Sequence, residues 1–231
     1  MWRYPVKSMQ GEQLESIEVT AAGLSGDRSW ALRDLETGLT LTARRCPELL
    51  FARGLLIDGS AVVRLPDGTE TADSATLSSW LGRDVELVAA SEEAATYEIA
   101  ADAEDEAGSL WRTWNGPGHA FHDSGRARVS IIGENTLRAW PVRRFRPNIV
   151  VTGGEEDSLV GSSLRSDGGV VLDISAQIQR CVMISRPQPG GIERDLDVLR
   201  TVNHERAALL GIGALVATAG RLSVGERLVP V

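Results

Sequence analysis

The chain has 231 residues, enough for one large domain or two small ones, and 24 Lys and Arg against 32 Asp and Glu give it a formal charge of −8. That balance offers no electrostatic case for broad binding to nucleic acid or to an anionic membrane, so neither is expected as a partner. Two cysteines, Cys46 and Cys181, exclude a disulfide scaffold, a four-cysteine zinc site and a cysteine-ligated iron–sulfur cluster.

The texture is mostly β: 24 glycines and nine prolines punctuate short apolar runs, many of period two. The opening MWRYPVKSMQGE has no apolar stretch of signal-peptide length, and no run reaches the ~20 apolar residues of a membrane helix. A cytoplasmic protein with free thiols is the expectation. Leu14–Thr20 alternates loosely and reads as a strand. Ser29–Leu35, the turn signal Glu36-Thr37-Gly38 and Leu39–Thr42 predict a hairpin. Ala61–Leu65 and Glu70–Ala72 flank Pro66-Asp67-Gly68, a strong turn tripeptide. Asp73 or Ser74 caps a short helix through Leu81, ended by Gly82. Val85–Ala89 is a further strand.

The segment 91–108, rich in acid and alanine, holds little core material and is read as a mobile or weakly packed connection. It divides the chain into 1–90 and 109–231; the competing reading is an acidic, solvent-facing hairpin within one domain. Beyond it, a helical tail runs from Glu134 until Pro141 stops it. Leu196–Ala208 carries apolar residues at helical spacing, and 214–231 returns to strand and turn. The fold class predicted is mainly β, two β-barrel-like domains with a few short helices.

Several searches fail. There is no GxxxxGK[ST] phosphate loop, no GxSxG nucleophile elbow, no CxxC and no HExxH. His119 and His122 have a spacing that could hold a metal, but Gly116-Pro117-Gly118 before them favours a loop, where hydrogen bonding is the plainer role.

Three groups of residues carry a family resemblance. The first is YPVKS at 4–8, GLSGDRSW at 23–30 and TARRCP at 42–47. The second is RFRPNIVV at 144–151 with Glu156-Asp157 after it. The third is Arg180-Cys181, then Pro187 to Gly191, and the closing glycine turns from Gly220. In this order they resemble the MOSC domain, named for the C-terminal domain of molybdenum-cofactor sulfurase, preceded by its N-terminal β-barrel.

The resemblance implies a protein that binds the molybdenum cofactor, a pyranopterin dithiolene, with Cys181 as the metal ligand and catalytic residue. It implies cofactor contacts from Lys7, Arg28, Arg146, Asn148 and Arg180, and less securely from Asp123 and Ser124. Relatives reduce N-hydroxylated compounds, which makes a small N-hydroxylated molecule the expected substrate. With no flavin, nicotinamide or cluster motif, electrons are expected from an external electron-transfer protein. A non-redox cofactor carrier or sulfur-transfer module is the alternative, and a barrel that has lost the cofactor is a third.

The chemistry is coherent with the residue types. A thiolate is a soft donor suited to molybdenum, and a neighbouring cation such as Arg180 favours the deprotonated sulfur. Arginine forks match phosphate bidentately and lysine adds a point charge. Lys7, Arg28, Arg143, Arg144 and Arg146 would have to be gathered by the fold. The plainer readings are that Cys181 is a buried packing residue, that Asn148 caps a turn, and that Lys7 and Arg28 pair with Glu12 and Asp27. The tryptophans are expected in the core, with Trp111 and Trp114 able to line a cleft mouth. Cys46 matches no ligand position. Met9, Gly133 and Gln179 depart from the family pattern, and at Gly133 a cofactor contact is expected to be missing.

Overall fold

The computed structural model describes residues 1–102 and 108–231. Its largest element is a six-stranded sheet in the order Ile149–Val151, Val129–Gly133, Leu209–Thr218, Val171–Gln179, Ser163–Ser166, Leu228–Pro230. Only the pair Ile131–Ile149 is parallel. Period-two alternation sends Leu172 and Ile174 inward and leaves Asp173 exposed. The architecture is mainly β, as the turn-punctuated sequence predicts.

Four cores lie within it. Val6, Met9, Leu32, Leu49, Leu50, Val63, Leu77 and Val85 fill the first half. Val129, Ile131, Leu172, Ile174 and Ile212 fill the second, together with Ile17, Val19 and Leu24 from the start of the chain. The link is direct, because Ser16–Thr20 pairs with Gly220–Ser223. A third core, with Ile132, Phe145, Val198, Leu199 and Val202, lies beneath the helix Leu196–Arg206. Ala31, Tyr97 and Phe121 form a small fourth.

Local signals are realised where one side chain decides them. Asp73 accepts from the Thr76 amide at 2.8 Å at the start of the helix Ser74–Leu81, and Gly82 ends it in the left-handed conformation. The helix predicted to reach Ala208 stops at Arg206, because Ala207 and Ala208 turn to φ of 50° and 66°. The tail predicted from Glu134 to Pro141 is a single turn, Glu134–Leu137. The hairpin predicted across Gly38 forms only in part. Trp30–Asp34 takes Val85–Ala89 as its ladder partner, and the return strand supplies one bridge, Arg33–Thr40.

The acidic segment 91–108 carries a strand. Thr96–Ala100 pairs with Trp111–Asn115 in an antiparallel hairpin, and Tyr97 on it is wholly buried. The acidic residues at 104–106 lie outside the described residues. No tryptophan is fully buried: the six indoles sit at the margins of the cores, and the buried aromatic rings are those of Tyr4, Tyr97, Phe121 and Phe145. No helix among the described residues is long and apolar enough to cross a membrane.

Candidate functional site

The YPVKS segment is pinned at several points. Val6 bridges to Trp30, the Lys7 amide donates to the Trp30 carbonyl at 2.8 Å, and Ser8 turns at a φ of 67°. The Ser8 hydroxyl accepts from the Ala43 amide at 2.9 Å, which fixes the TARRCP segment beside it. Two motifs distant in sequence therefore present Lys7 and Arg44 together.

Lys7 and Arg44 share one carboxylate. Lys7 Nζ lies 2.9 Å from Asp123 Oδ1 and donates to the Phe121 carbonyl at 2.8 Å; Arg44 Nη2 lies 3.2 Å from Asp123 Oδ2. Burial drives Lys7 down to about 8, outweighing the attraction of Asp123. Partial burial works against the ionised form of Asp123, yet Lys7 and Arg44 hold it well below the usual carboxylate range. Burial likewise opposes the charge on Arg44, but Asp123 and the Cys181 sulfur raise it further above its ordinary value.

The Cys181 thiol is half-buried and near enough to the Arg44 guanidinium for its sulfur to favour the charge there. It stands at the end of the long strand Val171–Gln179, where the chain turns into Val182–Ser185. Arg180 beside it is held by carbonyls, with Nε to Leu210 at 2.7 Å and Nη1 to Phe145 at 2.8 Å. Gly211 makes room for that guanidinium: at its φ of +77°, a Cβ would lie 2.9 Å from the Ile131 carbonyl and 3.1 Å from Arg180 Nη2.

Arg28 and Arg146 complete the cluster. Their guanidiniums lie 5.1 and 4.3 Å from the centroid of the buried Tyr4 ring. Arg28 pairs with Asp27, as the plainer reading of the sequence allows, while Glu12 pairs with Arg3 rather than Lys7. Arg146 donates to the Met9 carbonyl at 2.5 Å. Burial brings Arg146 and Arg180 each down to about 10. Burial also opposes the charge of Arg28, and Asp27 more than restores it. Five cations thus face three carboxylates, Asp27, Asp123 and Glu156, an excess of positive charge in a chain of net −8.

Of the residues expected at the site, Lys7, Arg28, Asp123, Arg146, Arg180 and Cys181 come together. Asn148 does not present a free group. It is buried, and its Oδ1 accepts from the Ser130 amide and hydroxyl at 3.0 and 2.9 Å and from Arg28 Nη1 at 3.4 Å, while its Nδ2 donates to the Trp2 carbonyl at 3.3 Å. Ser124 lies in an exposed loop, its hydroxyl accepting from the Arg126 amide. Arg143 and Arg144 brace the chain after Cys181, Arg143 donating to the Pro189 carbonyl at 2.5 Å and Arg144 to the Ile184 and Glu193 carbonyls at 3.2 and 2.7 Å. Gly133 has a packing reason, since a Cβ there would meet Glu156 Oε2 at 2.8 Å. His122 is buried and held neutral, burial and then Arg28 lowering it well below 6.5.

Two residues escaped the sequence reading. Arg44 was visible inside TARRCP but carried no role. Tyr97 lay in the acidic segment: its ring sits 4.4 Å beneath Lys7 Nζ and 4.9 Å from Trp114, and its hydroxyl has no partner among the described residues. Trp114 in turn stacks under Arg44 at 5.0 Å, and Trp111 under Arg45 at 4.3 Å.

The donor set suits an anionic ligand. Arg44 Nε and Arg180 Nη2 are buried donors with no partner among the described residues. Among the described residues no group of His, Cys, Asp and Glu could hold a metal by itself, so a metal on Cys181 needs its other ligands from a bound group. Two open clefts of about 490 and 570 Å³ lie elsewhere and contain none of these residues.

Residues 1–112 match the MOSC N-terminal beta barrel domain, and residues 117–229 match the MOSC domain. The chain belongs to the MOSC family. It is 27% identical to the molybdenum cofactor sulfurase of Drosophila ananassae over 241 residues, 92% of this chain and 31% of that protein. The molybdenum cofactor sulfurase of Solanum lycopersicum is 26% identical over 253 residues, 89% of this chain and 31% of its own. This MOSC chain therefore spans about a third of the length of these relatives. The YUAD protein from Bacillus subtilis has 12% identity and a TM-score of 0.44, covering 98% of this chain and 90% of that one.

Proposed function

We propose that this MOSC protein binds the molybdenum cofactor at the cluster around Cys181 and reduces N-hydroxylated small molecules with electrons from an external protein. The observation that carries this reading is the half-buried Cys181 thiol near Arg44, amid five gathered cations. The names of the sulfurase relatives support the choice of cofactor.

When bound, the cofactor would supply a metal that changes oxidation state and takes up an oxygen atom from substrate. The chain's own residues do the rest. Cys181 offers the sulfur ligand, steadied by the Arg44 guanidinium. Arg180 Nη2 and Arg44 Nε, both unpartnered among the described residues, donate to anionic oxygens of the bound group. Lys7, Arg28 and Arg146 add positive field from a buried setting, where it is weakly screened. Asp123 holds Lys7 and Arg44 at a common focus.

The test is elemental analysis for molybdenum, with pterin fluorescence after oxidation, in protein from a host that makes the cofactor. Both are expected in wild-type protein, and C181A is expected to abolish reductase-coupled turnover. Absence of both from wild type, or undiminished turnover in C181A, counts against the reading.

A second reading is a sulfur-transfer or cofactor-carrier module without redox turnover. What favours it is that the relatives are named molybdenum cofactor sulfurases. Bound cofactor with no turnover of a panel of N-hydroxy compounds, and transfer of that cofactor to an apo-enzyme, would favour this reading over the first.

A further inference from the structure

We propose that Tyr97 is a further ligand-binding residue of the Cys181 site, its hydroxyl donating a hydrogen bond to an anionic oxygen of the group held by Lys7 and Arg44. This rests on the cofactor reading above and adds to it a residue from the strand Thr96–Ala100.

Tyr97 is the innermost side chain of that strand. It pairs with Trp114 across the strands and is 0% exposed. Its neighbours are those of the site: the Lys7 ammonium lies 4.4 Å from the ring centroid, and Asp123 and Arg44 lie within electrostatic range of the hydroxyl. Trp114, packed against the same ring at 4.9 Å, carries the Arg44 guanidinium on its other contact at 5.0 Å. The backbone allows this approach because residue 116 is glycine: a Cβ there would lie 2.4 Å from the Tyr97 ring.

Despite this polar company the hydroxyl has no hydrogen-bond partner among the described residues. A buried hydroxyl left unpaired is costly, whereas phenylalanine would fill the same space at no such cost. A tyrosine at this place is accounted for if its partner arrives with a ligand. Arg44 Nε, whose guanidinium lies over the Trp114 ring packed on Tyr97, is likewise a buried donor without a partner among the described residues. A hydroxyl can donate to an anion without adding charge, which suits a position already crowded with cations.

The experiment compares wild type with Y97F, which removes one oxygen atom and leaves the ring. Both are made in a host that supplies the molybdenum cofactor, and molybdenum and pterin per chain are measured after matched dialysis. Both are also made in a cofactor-deficient host and unfolded in urea. Y97F is expected to release cofactor about tenfold faster, the size of one lost charge-assisted hydrogen bond. Its cofactor-free urea midpoint is expected to be unchanged or higher. Equal retention in both proteins overturns the proposal. So does a lowered midpoint, which would mean that the hydroxyl is satisfied inside the empty fold. Absence of cofactor from wild type removes the cofactor reading and this proposal together, whereas retention by wild type with equal retention by Y97F removes this one alone.

Discussion

Replacing Lys7 with methionine isolates the cost of keeping a charge inside this site. Lys7 is 6% exposed, and burial brings it down to about 8 from the 10.5 of a free lysine. Between those values the unfolded chain still binds the proton while the folded chain has released it. Raising the pH through this window therefore stabilises the fold, and lowering it toward 8 removes that stability. At ~1.4 kcal/mol per pH unit the gain is roughly 3 kcal/mol. The side-chain stem is retained in K7M, so packing is largely preserved. The lost donor to the Phe121 carbonyl adds an offset that does not vary with pH. Cys46, pushed up to about 12 by burial and Glu48, acts in the opposite sense above the pKa of a free thiol, but it is common to both proteins and cancels in their difference. Urea unfolding of wild type and K7M from about pH 7 to about pH 10 measures that difference. It is expected to move in favour of wild type by most of the ~3 kcal/mol. A flat difference would show that the ammonium is solvated well enough to keep its proton, and the account of a desolvated cationic cluster would fail with it.

Three further outcomes are expected. N148A should lose ~3 kcal/mol in urea unfolding, because it strips partners from the Ser130 amide and hydroxyl and from the Trp2 carbonyl at once; a loss under ~1 kcal/mol would mean that water replaces the amide. Iodoacetamide at mildly alkaline pH should label the half-buried Cys181 of cofactor-free protein and spare Cys46, which is 6% exposed and bonded to Glu48; peptide mass mapping with Cys46 modified first would contradict this. His122 stays neutral in the fold while the unfolded chain takes up a proton below 6.5, so stability should fall on acidification with a slope approaching ~1.4 kcal/mol per pH unit from this residue. H122Q should remove that component, and an unchanged acid slope in H122Q would place its origin elsewhere.

The parts of the fold readable from sequence are those in which a side chain acts on its own neighbourhood. Asp73 and Gly82 bracket a helix because a cap and a left-handed stop need nothing distant. Pairing partners were not readable. Gly38 makes its turn, yet Trp30–Asp34 pairs with a strand some 50 residues away, since register follows which face meets the core. The acidic segment misled through its average: a segment rich in acid and alanine hides one tyrosine that is fully buried. The site residues that carried over from motifs assembled, Asn148 through its bond from Arg28, while Ser124 lies in an exposed loop. The Asn148 side chain ties Trp2, Ser130 and Arg28 together, so a polar residue within a motif can hold the fold and a site residue at once.

The arginines show why charge alone could not have assigned roles. Arg143, Arg144 and Arg146 sit within four positions, yet the first two clasp carbonyls of 184–193 and the third crosses to the Met9 carbonyl. That crossing is one of a set joining the two halves. Lys7 donates to Phe121, Tyr4 to Pro147, Arg28 to the Arg146 carbonyl, Arg186 to the Arg44 carbonyl, and the Trp2 amide to Asn148. Most of these atoms are buried or partly buried, so separating the halves would strand them without partners. The strand Ser16–Thr20 would also lose Gly220–Ser223, and with it the place of Ile17 and Val19 in the second core. Neither half can then remain native while the other unfolds. The expected outcome is one cooperative transition, with the calorimetric enthalpy equal to the van't Hoff enthalpy and with loss of tryptophan fluorescence coinciding with loss of far-UV signal. Two separated transitions would show that the halves are stable alone, and the cationic cluster would then be a docking interface between them instead of an integral part of a single fold.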